Sequence, residues 1–102
     1  MGGMDPQRAP MFDPIDVIKD LVRSPSVSTD SAYADGMSAA REVLTRTFAE
    51  MGLETEVVDT PRHPVVIARR EGPPSWPHVV IYGHYDVQPP DPLDLWETPA
   101  FE

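Results

Sequence analysis

Two side chains in this 102-residue sequence stand close together and are equipped for chemistry, an imidazole at His84 and a carboxylate at Asp86. They follow Gly83, which ends the apolar run Val79-Val80-Ile81-Tyr82. If the backbone stays extended through Tyr85, His84 and Asp86 face the same side, roughly 6–7 Å apart along the chain. A carboxylate that accepts a hydrogen bond from one imidazole nitrogen fixes the tautomer and makes the other nitrogen a better metal ligand. The glycine before the pair lets the backbone turn out of a strand and lets another group approach. By itself His-x-Asp is a weak pattern. A strand-end histidine followed by a turn-forming aspartate, with no function, is the commoner meaning.

The remaining candidates are weaker. There are three histidines and no cysteine, so a zinc ion would need His, Asp or Glu ligands. A site built from all three histidines is excluded by spacing. His78 and His84 lie six residues apart on the expected strand, roughly 20 Å at strand rise, whereas ligands of one zinc sit about 2 Å from it. His63, between two prolines, and His78, at the strand entrance, read as solvated surface histidines. Asp91, Asp94 and Glu97 recur at threes but read as a solvated acidic loop. No Gly-x-Ser-x-Gly elbow, phosphate-cradling glycine loop or Gly-x-Gly-x-x-Gly is present.

The elements that must position His84 and Asp86 are punctuated by thirteen prolines. Residues 1–11 show no periodicity and are expected to form a disordered lead. Asp13-Pro14 starts a helix, with an N-cap and a proline at the first turn. Ile15, Ile18, Leu21 and Val22 form its apolar face, and Ser24-Pro25 ends it. A polar loop over Ser26–Asp35 leads into a second helix from Gly36, with Met37, Ala40, Val43, Leu44, Thr47, Phe48 and Met51 on its inner face. Gly52 is its C-terminal cap, with Leu53 folding back on the last turn. Strands are expected over Leu53–Val58, Pro64–Glu71 and Val79–Tyr82, the first two pairing as a hairpin and the third buried on both faces. The expected fold class is α/β, a partial three-layer sandwich: two helices, then three strands of a largely parallel or mixed sheet. The segment after Pro89 carries Leu93, Leu95, Trp96 and Phe101 without a period, and the stop at Glu102 reads as a truncation.

Seventeen acidic against eight basic residues give a formal charge of −9, which argues against a nucleic-acid or anionic-membrane partner. No apolar run approaches the roughly 18 residues of a membrane span. The first residues carry neither a basic region nor an apolar core, so a cytoplasmic setting is the default expectation.

Around Gly83-His84-Tyr85-Asp86-Val87-Gln88-Pro89 the chain resembles the di-zinc metallopeptidase family that holds carnosinase-type dipeptidases, glutamate carboxypeptidase, aminoacylases and acetylornithine deacetylase. The likeness extends through Ser24-Pro25-Ser26-Val27-Ser28, Met51-Gly52-Leu53, Pro64–Glu71 and Trp96–Phe101, in the family's order, and covers the chain from about Phe12. The Gln88-Pro89 ending resembles the dipeptidase branch more than the deacylase branch.

The resemblance implies that His84 is a ligand of one zinc and that Asp86 braces its imidazole without touching the metal. It implies two zinc ions in the complete enzyme, with manganese or cobalt also suited to such ligands, a small peptide substrate, and a homodimer formed through an inserted lid domain. The other ligands and the general-base glutamate would lie beyond Glu102. Residues 12–102 are thus expected to be the N-terminal part of a zinc-peptidase catalytic domain, a dipeptidase-like hydrolase that is inactive as this piece alone. An N-acyl amino acid deacylase of the same family, or a naturally short, non-catalytic interaction module, are the alternatives.

Overall fold

In a computed structural model describing residues 13–102, the chain folds as two helices followed by a two-stranded sheet and a long irregular segment. The expected disordered lead, residues 1–11, lies outside the described residues. Helix α1 spans Pro14–Val22 and begins as anticipated. The Asp13 carboxylate accepts from the Ile15 amide at 2.9 Å, which satisfies one of the free N–H groups of the first turn. Its apolar face is not buried. Ile15 and Ile18 are more than half exposed, and α1 touches the rest of the molecule chiefly through α2.

Helix α2 spans Ala34–Glu50, entered through a short 3-10 turn at Ser31–Tyr33. It ends as its sequence directs. Gly52 takes a φ of 82°, a left-handed conformation that costs a residue without Cβ nothing. The Gly52 and Leu53 amides then donate back to Ala49 and Phe48, both at 3.0 Å, closing the C-terminal carbonyls in a Schellman motif. The inner face buries Met37, Ala40, Val43 and Thr47, and the Thr47 hydroxyl satisfies itself on the Val43 carbonyl at 2.7 Å.

The loop between the helices departs from expectation. Read as a polar loop, it holds a fully buried Val27 and a nearly buried Ser26, with Ser24 just before them also buried. Gly36 makes this possible. A Cβ there would collide with the Pro25 carbonyl, so only glycine lets α2 lie against the loop. The buried apolar residues are Val27 in this loop and Met37, Ala40 and Val43 on α2.

Strands β1 (Glu54–Val58) and β2 (Val65–Arg69) pair antiparallel, with Glu56 opposite Ile67. This is the expected hairpin. The expected third strand is not formed among the described residues, and the sheet is neither three-stranded nor largely parallel. A strand exists only through backbone partners, and residues 78–82 have none here. Prolines 73, 74 and 77 lead into the run and remove donors from its approach. Val79, Val80, Ile81 and Tyr82 stand 74–91% exposed. Among the described residues, the one parallel pairing is an isolated bridge between Val27 and Val87. The radius of gyration, 17.2 Å, exceeds the roughly 13 Å of a compact chain of this length, in keeping with so much uncovered apolar surface. No helix among the described residues is long and apolar enough to cross a membrane.

Candidate metal-ligand site

The bridge at Val87 is what holds the His84–Asp86 segment. The Val87 amide donates to the Ser26 carbonyl at 2.9 Å, tying the segment to the buried loop. In the residues leading to Val87 the side chains alternate. Tyr85 turns toward the β1–β2 turn, where its hydroxyl donates to the Pro64 carbonyl at 2.6 Å. The same hydroxyl lies 3.4 Å from an Arg41 guanidinium nitrogen on α2, which donates to it. With Tyr85 committed to one side, extended geometry sends His84 and Asp86 together to the other.

They meet there. His84 Nδ1 lies 2.8 Å from Asp86 Oδ1 and 3.1 Å from the Asp86 carbonyl oxygen. An ionised carboxylate can only accept, so Nδ1 carries the proton and donates. In neutral His84 the lone pair then resides on Nε2, the nitrogen available to a metal. The His84 side chain is 74% exposed, and no hydrogen-bond partner of Nε2 is found among the described residues.

Asp86 spends its second oxygen on a residue the sequence did not single out. Ser28 donates its hydroxyl to Asp86 Oδ2 at 2.6 Å, across 58 positions of sequence. This bond is the main reason the Asp86 carboxyl is held below its ordinary range. The hydrogen bond and charge of His84 add to the effect, against a partial loss of hydration. Ser28 is itself anchored, because His63 donates from Nε2 to the Ser28 carbonyl at 2.9 Å. His63 is therefore on the surface, as expected, but it is not merely solvated: it joins the β1–β2 turn to the loop that carries Ser28. No local signal marks Ser28. Its place next to Val27, in the Ser-Val-Ser stretch, matters only through the non-local Val27–Val87 bridge.

The other expectations fare variously. Gly83 has open space where a Cβ would stand, so no group approaches it here. His78, Asp91, Asp94 and Glu97 are exposed. The apolar tail is covered only in part. Trp96 donates from its indole nitrogen to the Pro90 carbonyl at 2.8 Å, and Phe101 lies 6.1 Å, centroid to centroid, from Tyr33, while Leu95 stays 76% exposed. A shallow, open groove between the helices, lined in part by Asp20, Arg23, Ser24, Glu42 and Arg46, includes none of the site residues.

Among the described residues, no group of three or more His, Asp or Glu side chains is gathered as a metal needs. Among the described residues the segment thus offers one imidazole with an unpartnered Nε2, a donor that suits zinc in type but not in number.

The chain is 31% identical over 94 residues to a Cys-Gly metallodipeptidase of Saccharomyces cerevisiae, an alignment covering 79% of the chain. It is also 31% identical to a succinyl-diaminopimelate desuccinylase of Bordetella pertussis over 85% of its length. A desuccinylase of Parvibaculum lavamentivorans is 32% identical over 88% of it. The chain belongs to the metal-dependent peptidase and deacylase family. It spans about one fifth of the length of these relatives, 20%, 21% and 22% respectively. No family model matches the chain, and no solved structure does.

Proposed function

We propose that this chain supplies one corner of the metal centre of a dipeptidase-like hydrolase, with His84 ligating through Nε2 and Asp86 orienting the ring. The observation that carries the reading is the 2.8 Å contact between His84 Nδ1 and Asp86 Oδ1, which leaves Nε2 as the free nitrogen on an exposed side chain. Asp86 acts without touching the metal. Its ionised carboxylate holds the ring's proton at Nδ1 and makes Nε2 more basic. A metal held through His84 Nε2 would supply Lewis acidity, to acidify a water and polarise the amide carbonyl to be cleaved.

For the whole protein we propose two zinc ions, a small peptide substrate and a homodimer. Manganese or cobalt would also suit the imidazole donor. Acyl-amino-acid cleavage is the second reading, favoured by the desuccinylases that match at the same identity as the dipeptidase. Both break an amide bond and make the same demand on His84.

The 102-residue chain offers a single oriented donor, so it should bind zinc weakly and hydrolyse no peptide. Titration of the labelled chain with zinc, followed by ring resonances of its three histidines, tests the assignment. Perturbation should fall first on His84 Nε2, at millimolar rather than micromolar metal, and vanish in His84→Ala. Perturbation led by His63 or His78 would remove the basis for the assignment.

A further inference from the structure

We propose that Ser28 is a positioning residue for His84: its hydroxyl fixes the Asp86 carboxylate so that Oδ1 faces Nδ1, and so selects the tautomer that frees Nε2. The inference rests on the reading of His84 as a metal ligand and names a further residue on which that reading depends.

The carboxyl torsion of an aspartate is broad and roughly two-fold, so a contact with one imidazole leaves the carboxylate free to tilt. Here both oxygens are engaged, by donors from regions far apart in the chain. Ser28 takes Oδ2 at 2.6 Å and His84 takes Oδ1 at 2.8 Å. The first distance lies in the range of charge-assisted O–H···O⁻ bonds, roughly 2.5–2.7 Å.

Ser28 is well placed to impose an orientation, because its own main chain is pinned on both sides. Its predecessor Val27 is fully buried and bridged to Val87, while the Ser28 carbonyl accepts from His63 at 2.9 Å. The order of the relay is therefore His63, Ser28, Asp86, His84. It consists of three hydrogen bonds, in which Asp86 uses both carboxylate oxygens and Ser28 accepts through its carbonyl and donates through its hydroxyl. A hydroxyl is the right group at position 28. It is short enough to keep the register set by Val27 and can donate to a carboxylate, as an apolar side chain of similar size cannot.

The test reads the tautomer of His84 directly, in the ¹⁵N-labelled 102-residue chain without metal, above the pH at which the ring protonates. In the parent chain, long-range ¹H–¹⁵N correlations should give His84 a protonated Nδ1 and an unprotonated Nε2. Ser28→Ala should move the Nδ1–H to Nε2–H ratio about threefold or more toward Nε2–H, the scale of one modest hydrogen bond. His78, outside the relay, should not change. Ser28→Thr, which keeps the hydroxyl, should restore the parent ratio.

An unchanged ratio in Ser28→Ala overturns the proposal. If that variant loses its folded amide spectrum, Ser28→Cys replaces it, similar in shape with only a weak donor, and the same shift is expected and the same null result is fatal. Asp86→Ala leaves Nδ1 only the 3.1 Å contact with the main-chain carbonyl at position 86 and should shift the ratio toward Nε2–H at least as far as Ser28→Ala does; no shift would also overturn the proposal, by removing the brace through which Ser28 acts. The metal reading fails separately. Zinc that perturbs His63 or His78 before His84 would end it even with every tautomer result as expected.

Discussion

The loop over residues 24–28 and the run over residues 78–82 invert what their compositions suggest. The first is polar and nearly inaccessible: Ser24, Ser26 and Val27 are 7%, 2% and 0% exposed. The second is apolar throughout, yet Ile81 is 91% exposed. What separates them is backbone partnership. The loop has the Val87 amide on its Ser26 carbonyl, the Val27 amide on its Pro25 carbonyl, and α2 close against it at Gly36. The apolar run has no sheet neighbour among the described residues. Hydrophobicity therefore measures a segment's demand for cover, while ladder and turn bonds decide whether the cover is met.

The largest way to break this contrast is Gly36→Ala. A methyl group there meets a backbone carbonyl, which cannot rotate away, so the loop or α2 must shift. A loss of about 1–3 kcal/mol is expected for such overpacking, read from the denaturant midpoint, and the Val27–Val87 contact should loosen with it. Gly36→Ala melting like the parent would mean that the loop is not held as described.

A smaller effect follows from acid. The Asp86 carboxyl is lowered in the folded chain, so its contribution to stability is present above its ordinary value, 3.8, and is lost as pH falls through the lower folded value. With the side chain 42% exposed, solvent screening keeps the contribution under about 1 kcal/mol. Asp86→Asn should flatten the stability profile below about pH 4 and leave it unchanged in shape near neutrality. A parent profile already flat in that acid window would sink the assignment.

The smallest effect on stability belongs to the exposed run. Gly83→Ala has open space for its methyl group, and Ile81→Asp removes no buried contact, so each should stay within about 0.5 kcal/mol of the parent. Solution state is the more sensitive reading. Unpaired apolar strand-formers invite edge pairing between molecules, so the parent should self-associate with concentration, and Ile81→Asp should shift it toward monomer by sedimentation. A parent that stays monomeric at high concentration would show that the run is less available than its exposure indicates.

The same contrast explains what the sequence made legible. Helix ends and the hairpin follow from local chemistry: Asp13-Pro14 caps α1, Gly52-Leu53 closes α2, and two β-branched runs flank a proline-rich turn. The pairing of His84 with Asp86 was also legible, because it needs only strand alternation over three residues. The strand expected at Val79–Tyr82 is not formed, since its pattern states a requirement that other segments must meet. Nor was Ser28 legible, since its bond to Asp86 spans 58 positions and depends on one isolated bridge. The burial of Val27 escaped for a related reason. A single valine among serines carries no periodicity, and its partner lies far along the chain.

Three ties around the site end on main-chain oxygens: Val87 on Ser26, Tyr85 on Pro64 and His63 on Ser28. A carbonyl is supplied by every amino acid, so the accepting ends of these ties do not depend on which side chain sits at positions 26, 28 and 64. The geometry around His84 is in that respect suspended from hooks that sequence drift does not remove. Within these ties, identity is demanded where a side chain's own atoms enter, at Ser28, His63, Tyr85, Asp86 and His84. A scaffold attached in this way can exchange much of its sequence and still present the same imidazole at the same angle.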